Sequence, residues 1–259
     1  MLRITILLLW RGGAKRRGGC RDDRLGRPIF GQYDGVDNMK RAIAIDGPNG
    51  SGKSTIARMV AAELGFVYVD TGALYRASGL FCLEQGADLD NPADIAALLP
   101  KISLSVRYDE NSAQHTYING KDVTGEIRTQ LAAEVASKSA RVPELREKIV
   151  ETARRIAESE NVVMDGRDVG MVILPHADLK VFLNASVEVR AKRRLAELLA
   201  NGQSAAYDDV LAEIKERDHR DRTRESSPLR VADGAVVIDS SDMSIDEVRD
   251  RIIAELGRI

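Results

Sequence analysis

One stretch constrains this chain more than any other: Gly47-Pro48-Asn49-Gly50-Ser51-Gly52-Lys53-Ser54-Thr55, which fits the spacing G-x-x-x-x-G-K-[ST]. Glycines in such a loop let the backbone curl, so that successive N–H groups converge on phosphate oxygens at a helix N-terminus. The loop therefore works only where a strand hands over to a helix, and both flanks comply. Arg41-Ala42-Ile43-Ala44-Ile45-Asp46 is a short β-rich run, while Ile56, Met59, Val60 and Leu64 recur at helical spacing until Gly65 stops them. Phe66-Val67-Tyr68-Val69-Asp70 is the next strand. Strand, helix and strand within about 30 residues predict a βαβ unit, hence a parallel sheet with a right-handed crossover.

Three further apolar runs, Val162–Met164, Leu179–Leu183 and Ala235–Ile238, read as buried strands separated by helices. Pro143 opens one helix, Ser186 caps another that stops at Gly202, and Ser244-Ile245-Asp246-Glu247 is a capping box for a last helix over 245–257. The expected fold class is therefore α/β, with a doubly wound, five-stranded parallel sheet. Between about 86 and 125 the rhythm breaks. Ile102–Val106 and Thr116–Ile118 alternate apolar and polar residues, and Asn119-Gly120 marks a hairpin turn, so a small antiparallel β insertion is expected there.

Composition excludes several classes. With 44% hydrophobic and 30% charged residues, the chain is neither a disordered nor a fibrous sequence. Two cysteines, Cys20 and Cys82, make no secreted disulfide framework and no metal-ligand spacing, and they suit a reducing compartment. A formal net charge of −2 does not describe a polycation built for nucleic acid, and no apolar run is long enough for a membrane helix. Residues 1–38 stand apart: net basic, Gly/Arg-rich, without sustained period, and with an apolar piece (Ile4 to Trp10) too short and wrongly flanked for a signal peptide. They are expected to be a disordered extension or the product of a misplaced start codon, since Met39 immediately precedes the first strand. The folded domain is expected to span 39–259.

The loop over 47–55 implies a nucleoside triphosphate, with Lys53 bridging the β- and γ-phosphates and the Ser54 hydroxyl on Mg²⁺. It leaves open whether a switch, a motor or a small-molecule kinase follows. Discrimination comes from the receiving side. Asp70-Thr71-Gly72-Ala73-Leu74-Tyr75-Arg76 and Asp165-Gly166-Arg167-Asp168 both follow core strands, at the sheet edge where α/β proteins bind ligands. Arg217, Arg220, Arg222 and Arg224 crowd a third polar segment, interleaved with Asp218 and Asp221 and free of aromatic residues, unlike a nucleic-acid face. Asp165 closes its strand as a Walker-B acid does, so it is a candidate to order Mg²⁺ directly or through water, with a purely structural turn role as the alternative. Asp46 carries the same two readings.

Ile45 to Thr55, Asp70 to Arg76, Gly125-Glu126-Ile127-Arg128-Thr129-Gln130, Asp165 to Gly170, and Ile214-Lys215-Glu216-Arg217-Asp218-His219-Arg220-Asp221 together resemble the bacterial cytidylate kinases, in order from about residue 40 to 256. The resemblance implies a P-loop kinase core, a monophosphate-binding region enlarged by the insertion, and a mobile lid at roughly 215–229. It implies ATP as phosphoryl donor with Mg²⁺, CMP and dCMP as acceptors, and a cytoplasmic monomer with neither nucleic-acid nor membrane partners. Lys53, Arg167, Arg217 and Arg224 would be catalytic. Arg76, Arg146, Arg167, Arg217 and Arg224 would surround the acceptor phosphate and the moving group or hold the nucleotide. Ser137, Arg146 and Asp168 resemble the cytosine-reading residues and Asp221 with Arg217 the ribose contacts, while Thr71 and Tyr75 complete the substrate set.

The chemistry agrees with such a task. A nucleoside monophosphate loses its second phosphate proton with a pKa near ~6, so a strong general base is unnecessary at neutral pH. In-line positioning of two polyanions and charge stabilisation are what remain. A kinase for another small acceptor and a nucleotide-dependent switch protein are the alternatives, but the guanine-reading Asn-Lys-x-Asp of many switches is absent.

Overall fold

The computed structural model describes residues 40–110, 112–200 and 202–258, so the expected extension over 1–38 lies outside the described residues. Chain order runs β1 (Ala42–Asp46), α1 (Lys53–Leu64), β2 (Val67–Asp70), α2 (Thr71–Glu84), α3 (Pro92–Leu98), β3 (Leu104–Tyr108), β4 (Gln114–Ile118), β5 (Lys121–Asp122), α4 (Gln130–Ser139) and α5 (Pro143–Ser159). It continues with β6 (Val162–Gly166), β7 (Leu179–Asn184), α6 (Val187–Ala200), α7 (Tyr207–Thr223), β8 (Val236–Asp239) and α8 (Ile245–Leu256). Five strands pair in parallel in the order β2-β6-β1-β7-β8, with Asp46 opposite Gly166 and Asp70 opposite Asp165. The sheet is α/β as expected, and its strands read as continuous apolar runs because helices cover both faces.

Ile43, Ile45, Val163, Val181 and Leu183 pack with Ile56 and Val60 of α1 and Ile252 of α8 on one face. Ala44, Val69, Val162 and Met164 pack with Ala153 of α5 on the other. A further apolar cluster joins α2, α4 and α5 to the insertion through Leu74, Ile95, Ile118, Val135, Leu145 and Ile149. These contacts fix the strand ends that carry the polar residues.

The insertion is an antiparallel sheet, β3-β4-β5. Asn119 and Gly120 form the expected hairpin turn, both with positive φ (50° and 81°), and it leads from β4 into the short strand β5. The β5 strand is two residues long, too short to leave a period in the sequence, and α3 precedes the sheet where no helix was expected. The last helix ends at Leu256, and its capping box is present: Ser244 Oγ accepts from the Glu247 N–H while the Glu247 carboxylate accepts from the Ser244 N–H. Of the segment expected to act as a lid, 215–223 is the C-terminal half of α7, and Leu229 beyond it is buried and donates its N–H to the Asp221 carbonyl at 2.7 Å. Among the described residues, no helix is long and apolar enough to cross a membrane.

Candidate active site

The loop between β1 and α1 is shaped by close approach. A Cβ on Gly47 would lie 2.0 Å from the Leu183 carbonyl oxygen of β7, so only glycine fits. Gly52 precedes α1 with φ 88°, a conformation a β-carbon disfavours. Lys53 is buried at the start of α1 and its Nζ donates to the Pro48 carbonyl at 2.9 Å, curling the loop over itself. Burial, with Arg167 and Arg217 nearby, pushes this ammonium well below the ordinary lysine pKa, against the opposing pull of Asp165. A polyphosphate arriving here would restore the charge.

Ser54 and Asp165 meet at the foot of the loop. Ser54 Oγ donates to Asp165 Oδ2 at 2.8 Å, Tyr68 Oη donates to Asp165 Oδ1 at 2.8 Å, and Thr71 Oγ1 donates to the Asp165 carbonyl at 2.7 Å. Burial, with the Asp70 carboxylate nearby, raises the Asp165 pKa. Asp46 resolves differently: its two oxygens accept from the Val169 and Gly170 N–H groups at 2.8 Å each, anchoring the π-helical turn Val169–Ile173 that follows β6. Burial pushes its pKa up to about 6 in spite of those bonds. Of its two readings, these bonds favour the structural one.

Across from Lys53, one cavity is lined by Thr71, Tyr75, Arg76, Ser137, Arg146, Arg167, Asp168, Arg217, Asp221 and Arg224, together with Lys53, Ser54 and Asp165. Every residue expected to meet the acceptor is thus brought to one place. Arg76 donates to Asp70 Oδ2 at 2.7 Å, and Gly72 leaves room for that pair, because a Cβ there would sit 3.1 Å from both partners. Arg146 pairs with Asp168, donates to the Ala140 carbonyl at 3.2 Å, and lies over the Tyr75 ring at 5.5 Å. Arg167 Nε donates to Asp221 Oδ2 at 2.9 Å. Burial opposes the Asp221 charge, yet Arg167, Arg217 and Arg224 hold its pKa below the usual carboxylate value.

Cations outnumber their partners here. Arg217 Nε, Arg224 Nη2 and Tyr75 Oη are buried with no hydrogen-bond partner among the described residues. Burial and the neighbouring Arg167 lower the Arg217 pKa to about 10. Arg224 still donates its Nε to the Ser227 carbonyl at 2.7 Å, but buried guanidinium nitrogens without partners are costly, and an anion is the partner their chemistry calls for. Arg220 and Arg222 do not line this cavity.

Sequence reasoning missed one buried arginine. Arg190 of α6 donates to both oxygens of Asp218 (3.1 and 2.7 Å), to the Asn49 carbonyl (3.1 Å) and to the Ala185 carbonyl (2.9 Å). It ties the phosphate loop to α7, the helix that carries Arg217 and Asp221. The helical register of α6 marked Arg190 as inward-facing, which was the one signal available.

A phosphate chain lying on the loop would face a wall in which cations outnumber carboxylates, an arrangement suited to passing a phosphoryl group between two phosphate esters. Fold and site together define a P-loop kinase. The family model described as cytidylate kinase matches residues 43–258. Curated cytidylate kinases resemble the chain over nearly their whole length. That of Caldanaerobacter subterraneus subsp. tengcongensis is 44% identical over 215 residues, 83% of this chain and 94% of the relative. That of Carboxydothermus hydrogenoformans is 44% identical over 216 residues, 83% of this chain and 97% of the relative. That of Bacillus licheniformis is 44% identical over 214 residues, 83% of this chain and 95% of the relative. The chain belongs to the cytidylate kinase family.

Proposed function

We propose that this kinase transfers the γ-phosphoryl group of ATP to CMP and dCMP, giving ADP with CDP or dCDP, as a cytoplasmic monomer of pyrimidine nucleotide metabolism. The observation that carries the reading is the convergence of Lys53, Arg76, Arg167, Arg217 and Arg224 on one cavity at the mouth of the phosphate loop. On this reading the loop over 47–55 holds the donor phosphates through its N–H groups, and Lys53 neutralises the β,γ end. Arg76 receives the acceptor phosphate, while Arg167, Arg217 and Arg224 stabilise charge on the moving group as it spreads over three oxygens. The acceptor oxygen is mostly deprotonated at neutral pH, so no side chain need remove a proton.

Arg146, Asp168 and Ser137 suit the base. An amino group on cytosine finds an acceptor in a carboxylate or hydroxyl oxygen, where uracil presents a carbonyl to them. Asp221 with Arg217 faces the ribose. Thr71 already donates its hydroxyl to the Asp165 carbonyl, so its part in the substrate set is as a wall and an acceptor.

The residues present fit Mg²⁺. Ser54 Oγ and the Asp165 carboxylate stand together beside Lys53, and among the described residues no cluster of three or more His, Cys, Asp or Glu could hold a metal ion alone. Mg²⁺ in such sites takes one or two protein ligands and the rest from phosphate and water, so Ser54 and Asp165 would hold it, and it would supply screening of the phosphate charge.

ADP release in the presence of ATP, Mg²⁺ and each of CMP, dCMP, UMP, AMP and shikimate tests the proposal. CMP and dCMP should stimulate turnover most. No stimulation above the rate with water alone would overturn it.

A further inference from the structure

Gln114 opens β4 in the small sheet, yet its side chain reaches the end of β2 in the large one. Its Oε1 accepts from the Asp70 N–H at 2.7 Å and its Nε2 donates to the Asp70 carbonyl at 3.3 Å. The β2 strand is the outermost of the large sheet, so this one amide does for Asp70 what a neighbouring strand would have done. Nε2 also donates to Thr116 Oγ1 at 3.2 Å, which agrees with the orientation the Asp70 N–H requires.

Asp70 bears on the cavity through its side chain. Oδ1 accepts from the Ala73 N–H at 2.9 Å and caps α2, while Oδ2 holds Arg76 at 2.7 Å. The carboxylate thus sets both the start of α2 and the direction of a guanidinium projecting from it. Each peptide group flanking the Asp70 Cα is gripped by Gln114, so the carboxylate swings from a fixed pivot.

We infer that Gln114 is a positioning residue for the acceptor phosphate: by clamping the main chain of Asp70, it sets the Asp70–Arg76 pair and hence where the Arg76 guanidinium stands in the cavity. The small sheet thereby acts on the reaction through a side chain that never meets substrate. The inference rests on the reading of Arg76 as a contact of the acceptor phosphate. Gln114 is half-buried at a sheet edge, and water can solvate the Asp70 groups once the amide is removed, so the fold tolerates its loss.

Steady-state kinetics of Gln114→Ala, Gln114→Met, Arg76→Ala and the Gln114→Ala/Arg76→Ala double variant test it. Gln114→Ala and Gln114→Met should both raise KM for CMP roughly 3- to 10-fold, the worth of one or two ordinary hydrogen bonds, with KM for ATP unchanged. In the Arg76→Ala background, Gln114→Ala should add nothing further. Recovery of the original KM by methionine, equal shifts for both nucleotides, or additive losses in the double variant would each overturn the inference. An Arg76→Ala enzyme with unaltered KM for CMP would overturn the acceptor-site reading and the inference with it, and that single variant tells the two failures apart.

Discussion

Ser54 Oγ and Asp165 Oδ2 are 2.8 Å apart although 111 positions separate them in the chain, joining the first turn of α1 to the end of β6. Hydroxyl and carboxylate are the two protein groups a Mg²⁺ on the donor phosphates would find. Asp165→Asn keeps the shape and an oxygen but removes the charge. It should lower turnover about 10-fold or more and raise the Mg²⁺ concentration needed for half-maximal rate, in line with losses at outer metal partners. A Mg²⁺ titration of the rate checks this, and an unmoved half-saturation point would count against the assignment.

Lys53 offers two readouts. Lys53→Ala should cut turnover by about 100-fold or more, as loss of a transition-state donor does, with far-UV circular dichroism unchanged. Its pKa is depressed by burial and by Arg167 and Arg217, so part of its population is neutral at mildly alkaline pH before nucleotide arrives. A polyanion raises that pKa, and the sign follows: ATP binding takes up protons. Calorimetry at pH 8 in buffers of different ionisation enthalpy should show the uptake, and Lys53→Met should abolish it.

Asp168 pairs with Arg146, which lies over Tyr75, so its carboxylate orders the proposed base-reading wall as well as presenting an acceptor. Asp168→Asn should lower kcat/KM for CMP by at least about 10-fold while UMP suffers less, narrowing the preference between them. Competition between CMP and UMP for limiting enzyme measures the ratio directly.

The segment 215–229 carries Arg217, Asp221 and Arg224, two of them arginines with buried nitrogens that lack partners among the described residues. Bound phosphate should gather these groups and hold the end of α7 and the residues after it against the cavity, excluding water that would otherwise compete for the phosphoryl group. Amide hydrogen exchange over 215–229 should slow when CMP and a non-hydrolysable ATP analogue are both added. Unchanged exchange there would refute closure.

Local patterns made much of this legible. The loop over 47–55, the strand before it and the helix after it announce themselves through spacing, and Arg76 and Arg167 are found because each follows a core strand. Contacts between side chains from distant elements leave no such trace. Gln114 reaching Asp70, and Arg190 reaching both Asn49 and Asp218, depend on how two sheets and two helices settle against one another. Asp46 looked as much like a metal ligand as like an anchor until Val169 and Gly170 were seen donating to it. The β5 strand was hidden by its brevity, since two residues cannot display an alternation.

Gly47, pressed against the carbonyl of Leu183, has a consequence for binding. The curve of the loop is inherited from the packing of β7 and is complete when the chain folds. A ligand on the donor side should therefore incur little loss of backbone entropy, leaving conformational adjustment to the acceptor wall and α7. On the proposed reading the donor half should act as a pre-formed receptor, with selectivity for the second nucleotide left to the acceptor wall.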